Sequence, residues 1–200
     1  MKIYITRHGT TEWNNSRRLQ GWKDSDLTRE GIESAIKLGK KLSQIDFDII
    51  YSSPLNRALT TAKLIRGNKD IKIVTHNGLR EMCYGIWEGM TLEDINRKYP
   101  EEYFLYVNKP EEYIPIDGET YNDLFTRVQN FLNEIVNEEA ENVLVVTHGV
   151  TIKAMIAIIK GLTIKEFSNL PIFTGTSLNI CEIKDGKIEL IVEDNVSHLS

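Results

Sequence analysis

The chain has 200 residues, 41% of them hydrophobic and 26% charged, which predicts one ordinary globular domain and argues against disorder. The net charge of −5 and the lack of a basic run argue against nucleic acid or an anionic membrane as the main partner. No apolar stretch approaches the ~18 residues of a membrane span, and the first residues do not form a signal peptide. Two distant cysteines, Cys83 and Cys181, predict reduced thiols and a cytoplasmic protein.

Strand-forming runs alternate with helical patterns along the chain. The predicted strands cover residues 2–6, 48–53, 71–75, 142–147, 177–183 and 187–193, and a hairpin signal, Asp185-Gly186, joins the last two. The predicted helices begin after Thr28 and at Ser53-Pro54, and three more cover residues 92–98, 120–137 and 150–160.

This alternation predicts a single domain over residues 1–200 of the α/β class, a three-layer α/β/α sandwich with a mostly parallel central sheet. The stretch at about 99–117 is rich in Tyr, Glu and Pro. It interrupts the alternation, and we expect it to form an irregular, small inserted cap.

Cationic and imidazole side chains follow three of the predicted strands. Arg7 and His8 come directly after the first strand, Arg57 lies in the first turn of the helix after the second, and His148 follows the run VLVVT. In an open α/β sheet, ligands bind outside the carboxyl ends of the strands. If the strand order brings these residues together, they form a site for an anion, because arginine binds phosphate oxygens bidentately.

Other uses of these histidines fit the sequence poorly. No Asp or Glu adjoins either His-Gly pair, and neighbouring arginines repel a metal cation, so no metal site is predicted. The chain has no P-loop, no GxGxxG and no nucleophile elbow. These exclusions leave a catalytic histidine whose ring nitrogen attacks phosphorus directly.

Six blocks of the sequence resemble the histidine phosphatase superfamily, in its phosphoglycerate-mutase-like branch, and they occur in family order. They are TRHGTTEWN at 6–14, LQGWKDSDLT at 19–28, SSPLNRALTTA at 52–62, LREMCYGIWEG at 79–89, DGETY at 117–121 and VVTHG at 145–149. The resemblance implies that His8 is the phosphorylated nucleophile. It implies a phosphate pocket of Arg7, Arg57 and His148, and assigns to Glu81 the role of the acid that protonates the leaving oxygen.

The resemblance also suggests supporting residues. Asn14 is expected in the phosphate pocket, and Thr151 is a further candidate contact. Trp87 and Glu88 are equally compatible with functional and structural roles.

The implied function is a metal-independent, cofactor-free phosphomonoester hydrolase that acts on a small phosphorylated metabolite through a phosphohistidine. A cofactor-dependent phosphoglycerate mutase is the alternative. The mutases that the chain resembles have extra basic residues for a second anionic group, whereas here Met82 follows Glu81 and the cap offers Lys109 among glutamates. A non-enzymatic phosphate-binding module is a third, weaker hypothesis, because His8, Arg57 and Glu81 are all present. The sequence leaves the oligomeric state open, a dimer included.

Overall fold

The computed structural model describes every residue, 1–200, and is built around one six-stranded sheet. The strands are β1 (Lys2–Arg7), β2 (Ile49–Ser52), β3 (Ile73–Thr75), β4 (Asn142–Thr147), β5 (Leu178–Lys184) and β6 (Lys187–Asn195). Their order in the sheet is β3-β2-β4-β1-β5-β6. The first four are mutually parallel, while β5 and β6 are antiparallel to their neighbours, which confirms the mostly parallel sheet.

Eight α-helices connect and cover the strands. They are α1 (Glu12–Asn15), α2 (Arg29–Lys41), α3 (Asn56–Arg66), α4 (Leu92–Lys98), α5 (Pro100–Asn108), α6 (Tyr121–Val136), α7 (Gly149–Ile159) and α8 (Ile164–Phe167). None of them is long and apolar enough to cross a membrane.

The central strands are buried on both faces, because their side chains point alternately to opposite sides. Tyr4 of β1 packs in one apolar cluster with Leu38 of α2 and Ala58 of α3. Its neighbour Ile5 belongs to the other cluster, with α6 residues such as Val128. Helices therefore cover both faces of the sheet, and the predicted three-layer α/β/α arrangement is confirmed.

Helix α3 begins later than the sequence indicated. Its N-cap is Leu55, not Ser53, and no side chain caps it. The Ser53 hydroxyl instead accepts a hydrogen bond from the Leu55 amide at 3.3 Å and contacts His148. The serine-proline pair predicts a helix start at Ser53, whereas the Ser53 hydroxyl contacts His148 Nε2 at 2.7 Å.

The 99–117 stretch is not irregular throughout, because α5 occupies much of it. Pro100 stands in the first turn of α5, where a missing N–H costs nothing. Tyr106 packs edge-on against Trp87 with ring centroids 5.6 Å apart, and Tyr113 lies 5.2 Å from the same ring. The aromatic contact of Tyr106 thus anchors α5 on Trp87, a long-range contact that the composition of the stretch does not reveal.

Candidate active site

The strand order brings the predicted site residues to one edge of the sheet. β4 lies between β1 and β2, so the residues that follow these three strands are neighbours. The His8 amide donates to the carbonyl of Thr147, the last residue of β4, at 2.9 Å. A cavity of 280 Å³ opens at this edge. Among the residues that line it are Arg7, His8, Asn14, Arg57 and Glu81.

The His8 side chain is buried, with 2% of its surface exposed. Its Nδ1 lies 2.8 Å from the carbonyl oxygen of Gly9. Because a carbonyl only accepts hydrogen bonds, Nδ1 must carry the proton, which leaves the lone pair of the neutral ring on Nε2. Burial, with the nearby Arg57 and Arg7 guanidinium groups, lowers the pKa of His8 well below its ordinary value. The ring is therefore neutral at neutral pH and has a nucleophilic nitrogen.

His148 follows β4 and is completely buried, with its ring centroid 5.1 Å from that of His8. Its Nε2 lies 2.7 Å from the Ser53 hydroxyl, whereas its buried Nδ1 has no partner. Burial, with the charge of Arg57, lowers its pKa well below the ordinary value. His148 does not line the cavity, but its ring lies next to the ring of His8, which does.

Both predicted arginines are held rigidly. Arg57 is 1% exposed, and it donates through Nη1 to Asp24 at 2.9 Å and through Nη2 to the carbonyl of Gly21 at 2.8 Å. Arg7 donates through Nη1 to the carbonyl of Phe173 at 2.8 Å. The Nε of each arginine is buried without a partner. Hydrogen bonds therefore fix each guanidinium group in position, and the Nε–H of each remains without a hydrogen-bond acceptor.

Glu81 lies at the amino end of α7. Its Oε2 accepts from the Val150 amide at 3.2 Å, and its Oε1 accepts from the Thr151 amide at 3.2 Å. The Thr151 hydroxyl donates to the carbonyl of Arg80 at 2.7 Å. Thr151, a candidate contact in the sequence analysis, is fully buried and holds the segment that includes Glu81.

A charged pair that the sequence analysis missed also fixes Glu81. Arg127 of α6 donates to the carbonyls of Glu81 at 3.0 Å and Arg80 at 2.7 Å. Glu119 accepts two hydrogen bonds from the same guanidinium, at 2.8 and 2.9 Å. Trp22 donates its indole N–H to the Glu81 carbonyl at 2.9 Å. Glu119 lies in the recognised block DGETY, but nothing in the sequence marks Arg127 as its partner.

Trp87 and Glu88 have structural positions. Trp87 is 2% exposed within the aromatic cluster under the cap. Glu88 accepts from the amide of Trp22 at 2.8 Å and from that of Lys23 at 3.1 Å. Gly21, with a φ of +56°, approaches so closely that an added Cβ would lie 2.1 Å from the Glu88 carboxylate. Glu88 therefore fixes the 21–23 loop, and the Gly21 carbonyl of this loop accepts a hydrogen bond from Arg57.

Asn14 lines the cavity, as expected, and its side-chain Oδ1 accepts a hydrogen bond from the Thr11 amide at 3.0 Å. Two further cavity residues, Arg17 and Arg18, were not anticipated. Lys109, the cation of the cap, does not line the cavity and pairs with Glu112 at 2.9 Å. Basic groups beyond the phosphate-binding candidates therefore come from the segment after α1.

No three His, Cys, Asp or Glu side chains are grouped in a way that could hold a metal ion. The positive charge of the site comes from guanidinium groups.

Comparison with known proteins places these features in context. The chain is 34% identical over 168 residues to phosphoserine phosphatase 1 of Hydrogenobacter thermophilus, covering 84% of this chain and 80% of that protein. It is 30% identical over 184 residues to a 2,3-bisphosphoglycerate-dependent phosphoglycerate mutase of Bartonella bacilliformis, covering 88% and 89%. The structure of YhfR from Bacillus stearothermophilus superposes with a TM-score of 0.95 at 39% identity, covering 100% of this chain and 99% of that one.

The sequence profile of the histidine phosphatase superfamily, branch 1, matches residues 3–195. This match extends over nearly the whole chain and includes every residue of the cavity described above. The chain belongs to the histidine phosphatase superfamily.

Proposed function

We propose that the protein hydrolyses a small phosphomonoester by transferring the phosphoryl group first to His8 and then to water. The observation that carries this proposal is the state of His8: its Nδ1 is committed to the Gly9 carbonyl at 2.8 Å, and burial beside two arginines lowers its pKa. Such a ring is a neutral nucleophile at neutral pH.

Three unpartnered nitrogens favour phosphate as the ligand. The Nε atoms of Arg7 and Arg57 and the Nδ1 atom of His148 are all buried without a hydrogen bond. Buried polar groups in native proteins nearly always have partners. A phosphate group next to His8 would accept from the two arginines, which line the cavity, and their guanidinium charges would stabilise its equatorial oxygens in the transition state.

The reaction then follows in two balanced steps. His8 Nε2 attacks phosphorus, the bond from phosphorus to the leaving oxygen breaks, and Glu81 gives that oxygen its proton. Glu81, now a carboxylate, takes a proton from a water molecule that attacks the phosphohistidine, and the N–P bond breaks to release phosphate. Glu81 lines the same cavity as His8, and the arginines supply the charge stabilisation that other phosphoryl-transfer enzymes obtain from metal ions.

The relatives support a small metabolite as substrate, because one of them is named a phosphoserine phosphatase. Another is named a phosphoglycerate mutase, which keeps the mutase as the second candidate. Met82 carries no charge and Lys109 is engaged by Glu112, so neither residue provides the additional basic contact of a mutase, whereas Arg17 and Arg18 line the cavity and keep the mutase in consideration. The free thiols Cys83 and Cys181 favour a reducing, cytoplasmic site of action.

Phosphate release from a panel of small phosphomonoesters, with and without EDTA, tests the proposal. Alkaline quenching should trap a phosphoryl group on the wild type and none on His8→Ala, since phosphohistidine is stable in alkali. His76→Ala is a matched control, because His76 pairs with Glu134 away from the cavity. Near-wild-type turnover of His8→Ala would refute the proposal. Interconversion of 2- and 3-phosphoglycerate that outpaces hydrolysis of every ester would favour the mutase.

A further inference from the structure

A short turn at residues 173–177, directly before β5, holds Arg7 at two points. The Phe173 carbonyl accepts a hydrogen bond from Arg7 Nη1 at 2.8 Å. The Thr176 amide donates to the Arg7 carbonyl at 3.1 Å. The conformation of the 173–177 turn therefore sets the position of the Arg7 guanidinium, which lines the cavity.

The backbone of this turn is strained at Thr176, whose φ is +59°. A β-branched residue is an outlier in the left-handed region. The Ser177 amide closes the turn on the Thr174 carbonyl at 3.1 Å, so Thr176 is the third of four turn residues, where a positive φ usually calls for glycine or asparagine. The glycine of the turn, Gly175, precedes this position instead. Such strain persists only where the surrounding structure imposes it, so contacts from outside the turn must hold Thr176.

Asp194 and His198 supply those contacts. The Asp194 carboxylate accepts from the Thr174 amide at 3.2 Å. His198 Nε2 lies 3.1 Å from the hydroxyl oxygen of Thr176, a residue that is completely buried. His198 is itself buried, and its Nδ1 has no partner. The Thr176 hydroxyl is therefore the only hydrogen-bond partner of this imidazole.

Two lysines of α2 fix the segment around His198. Lys41 donates to the side-chain oxygen of Asn195 at 2.8 Å. Lys37 donates to the Leu199 carbonyl at 3.3 Å. Burial, with the charges of Lys41 and Lys37, lowers the pKa of His198. A neutral imidazole has one donor and one acceptor nitrogen, so its Nε2 can pair with the threonine hydroxyl.

We propose that His198 is a positioning residue for the phosphate site: it holds the Thr176 hydroxyl and so keeps the 173–177 turn in the conformation that orients the Arg7 guanidinium. His198 does not line the cavity, so it acts through Thr176 and Arg7. This proposal rests on the proposed function, which assigns a phosphate group to Arg7. Small displacements of groups that hold the reacting atoms are costly, so loss of the remote hydrogen bond should weaken anion binding.

Three substitutions separate the hydrogen bond from the packing of the ring. His198→Phe keeps an aromatic ring and deletes both nitrogens. His198→Gln returns a polar atom close to the position of Nε2. Thr176→Val keeps the branched shape and deletes the hydroxyl. His76→Phe is the matched control, because His76 pairs with Glu134 away from the cavity.

We expect His198→Phe and Thr176→Val each to weaken orthovanadate binding by about five- to tenfold, the scale of one lost hydrogen bond. The value of kcat/KM for p-nitrophenyl phosphate should fall by the same factor. The double variant should lose no more than either single variant, because both substitutions remove the same contact. His198→Gln should stay within about twofold of the wild type, since it restores the hydrogen bond, and His76→Phe should equal the wild type.

The Arg7 side chain reports its own displacement. Its Nε–H gives a side-chain resonance in a proton–nitrogen correlation spectrum, assigned as the signal that Arg7→Lys removes. This resonance should shift in His198→Phe and in Thr176→Val, and it should return to its wild-type position in His198→Gln. Spectra recorded well below the melting temperature of each variant exclude a contribution from unfolding.

Wild-type vanadate affinity in His198→Phe would overturn the inference. Additive losses in the double variant would do the same, because they would mean that the two residues act independently. Equal damage in His198→Gln and His198→Phe would assign the effect to packing of the ring and also overturn it. If the wild type hydrolyses no ester, the proposed function fails, and the vanadate affinities and the Arg7 resonance still decide whether His198 positions Arg7.

Discussion

The imidazole rings of His8 and His148 lie 5.1 Å apart at the carboxyl ends of adjacent strands. Both rings are buried, and burial together with Arg57 lowers the pKa of each well below its ordinary value. A proton on either ring would also repel a proton on the other. The pair is therefore held neutral in the folded protein, and the free energy of unfolding must depend on pH.

The folded protein should lose stability in mild acid. In the unfolded chain these histidines have a pKa of about 6.5, whereas the folded values are lower. As the pH falls through 6.5, the unfolded state binds protons that the folded state refuses, so the free energy of unfolding decreases by up to about 1.4 kcal/mol per pH unit for each histidine. Urea unfolding at pH values between about 5 and 8 measures this slope, and the stabilisation is complete above pH 6.5.

His148→Gln should make that slope shallower, since it removes one of the two groups. His76→Gln serves as the control, because the pair His76–Glu134 lies on the surface. A slope unchanged by His148→Gln, or a wild type that becomes more stable as the pH falls below 6.5, would contradict the prediction.

Arg57→Ala should weaken binding of vanadate or phosphate and abolish turnover, because Arg57 is expected to hold the equatorial oxygens. It should also lower the melting temperature, since Asp24 and the Gly21 carbonyl lose a buried donor. Arg57→Lys keeps the charge but loses the bidentate geometry of the guanidinium, and we expect intermediate affinity for vanadate or phosphate.

EDTA should have no effect on the wild type. Loss of activity in EDTA that a divalent ion restores would refute the assignment of charge stabilisation to the arginines.

Glu119→Gln should impair the reaction without weakening substrate binding. Glu119 fixes Arg127, which holds the Glu81 carbonyl, and Glu119 does not line the cavity. We expect kcat for alkyl phosphates to fall by about tenfold, because small displacements of a reacting group are costly, while KM stays near the wild-type value. The control is Glu134→Gln, an exposed surface pair. A KM increase that accounts for the whole loss would instead place Glu119 in substrate binding.

Local sequence signals predicted those parts of the site that follow strands. His-Gly directly after VLVVT identified both β4 and His148, and the first strand identified Arg7 and His8. Arg127 was missed because its partners are carbonyls 46 to 49 residues away in the chain, which no periodic pattern reports. Arg17 was missed as a cavity residue because only the folded chain brings the loop after α1 to the cavity. Helix α5 was missed because the contact of its Tyr106 with Trp87 is a long-range one that local composition does not report.

Glu81→Gln should reveal the proton donor through its dependence on the leaving group. An aliphatic alkoxide leaves poorly without a proton, whereas p-nitrophenolate leaves readily. General acid catalysis contributes about 10²–10⁴-fold, and glutamine keeps the shape of Glu81 while it lacks the transferable proton. The phosphorylation step should therefore slow far more for an alkyl phosphate than for p-nitrophenyl phosphate.

Single-turnover measurements must separate phosphorylation from dephosphorylation, because Glu81 is also expected to activate the water. Glu88→Gln is the structural comparison: Glu88 anchors the amides of Trp22 and Lys23 and does not line the cavity. Its replacement should slow both substrates alike, since it acts by displacing the loop that receives Arg57. Equal losses on both substrates for Glu81→Gln as well would mean that Glu81 merely holds the start of α7, where it accepts from Val150 and Thr151, and that the proton comes from another group.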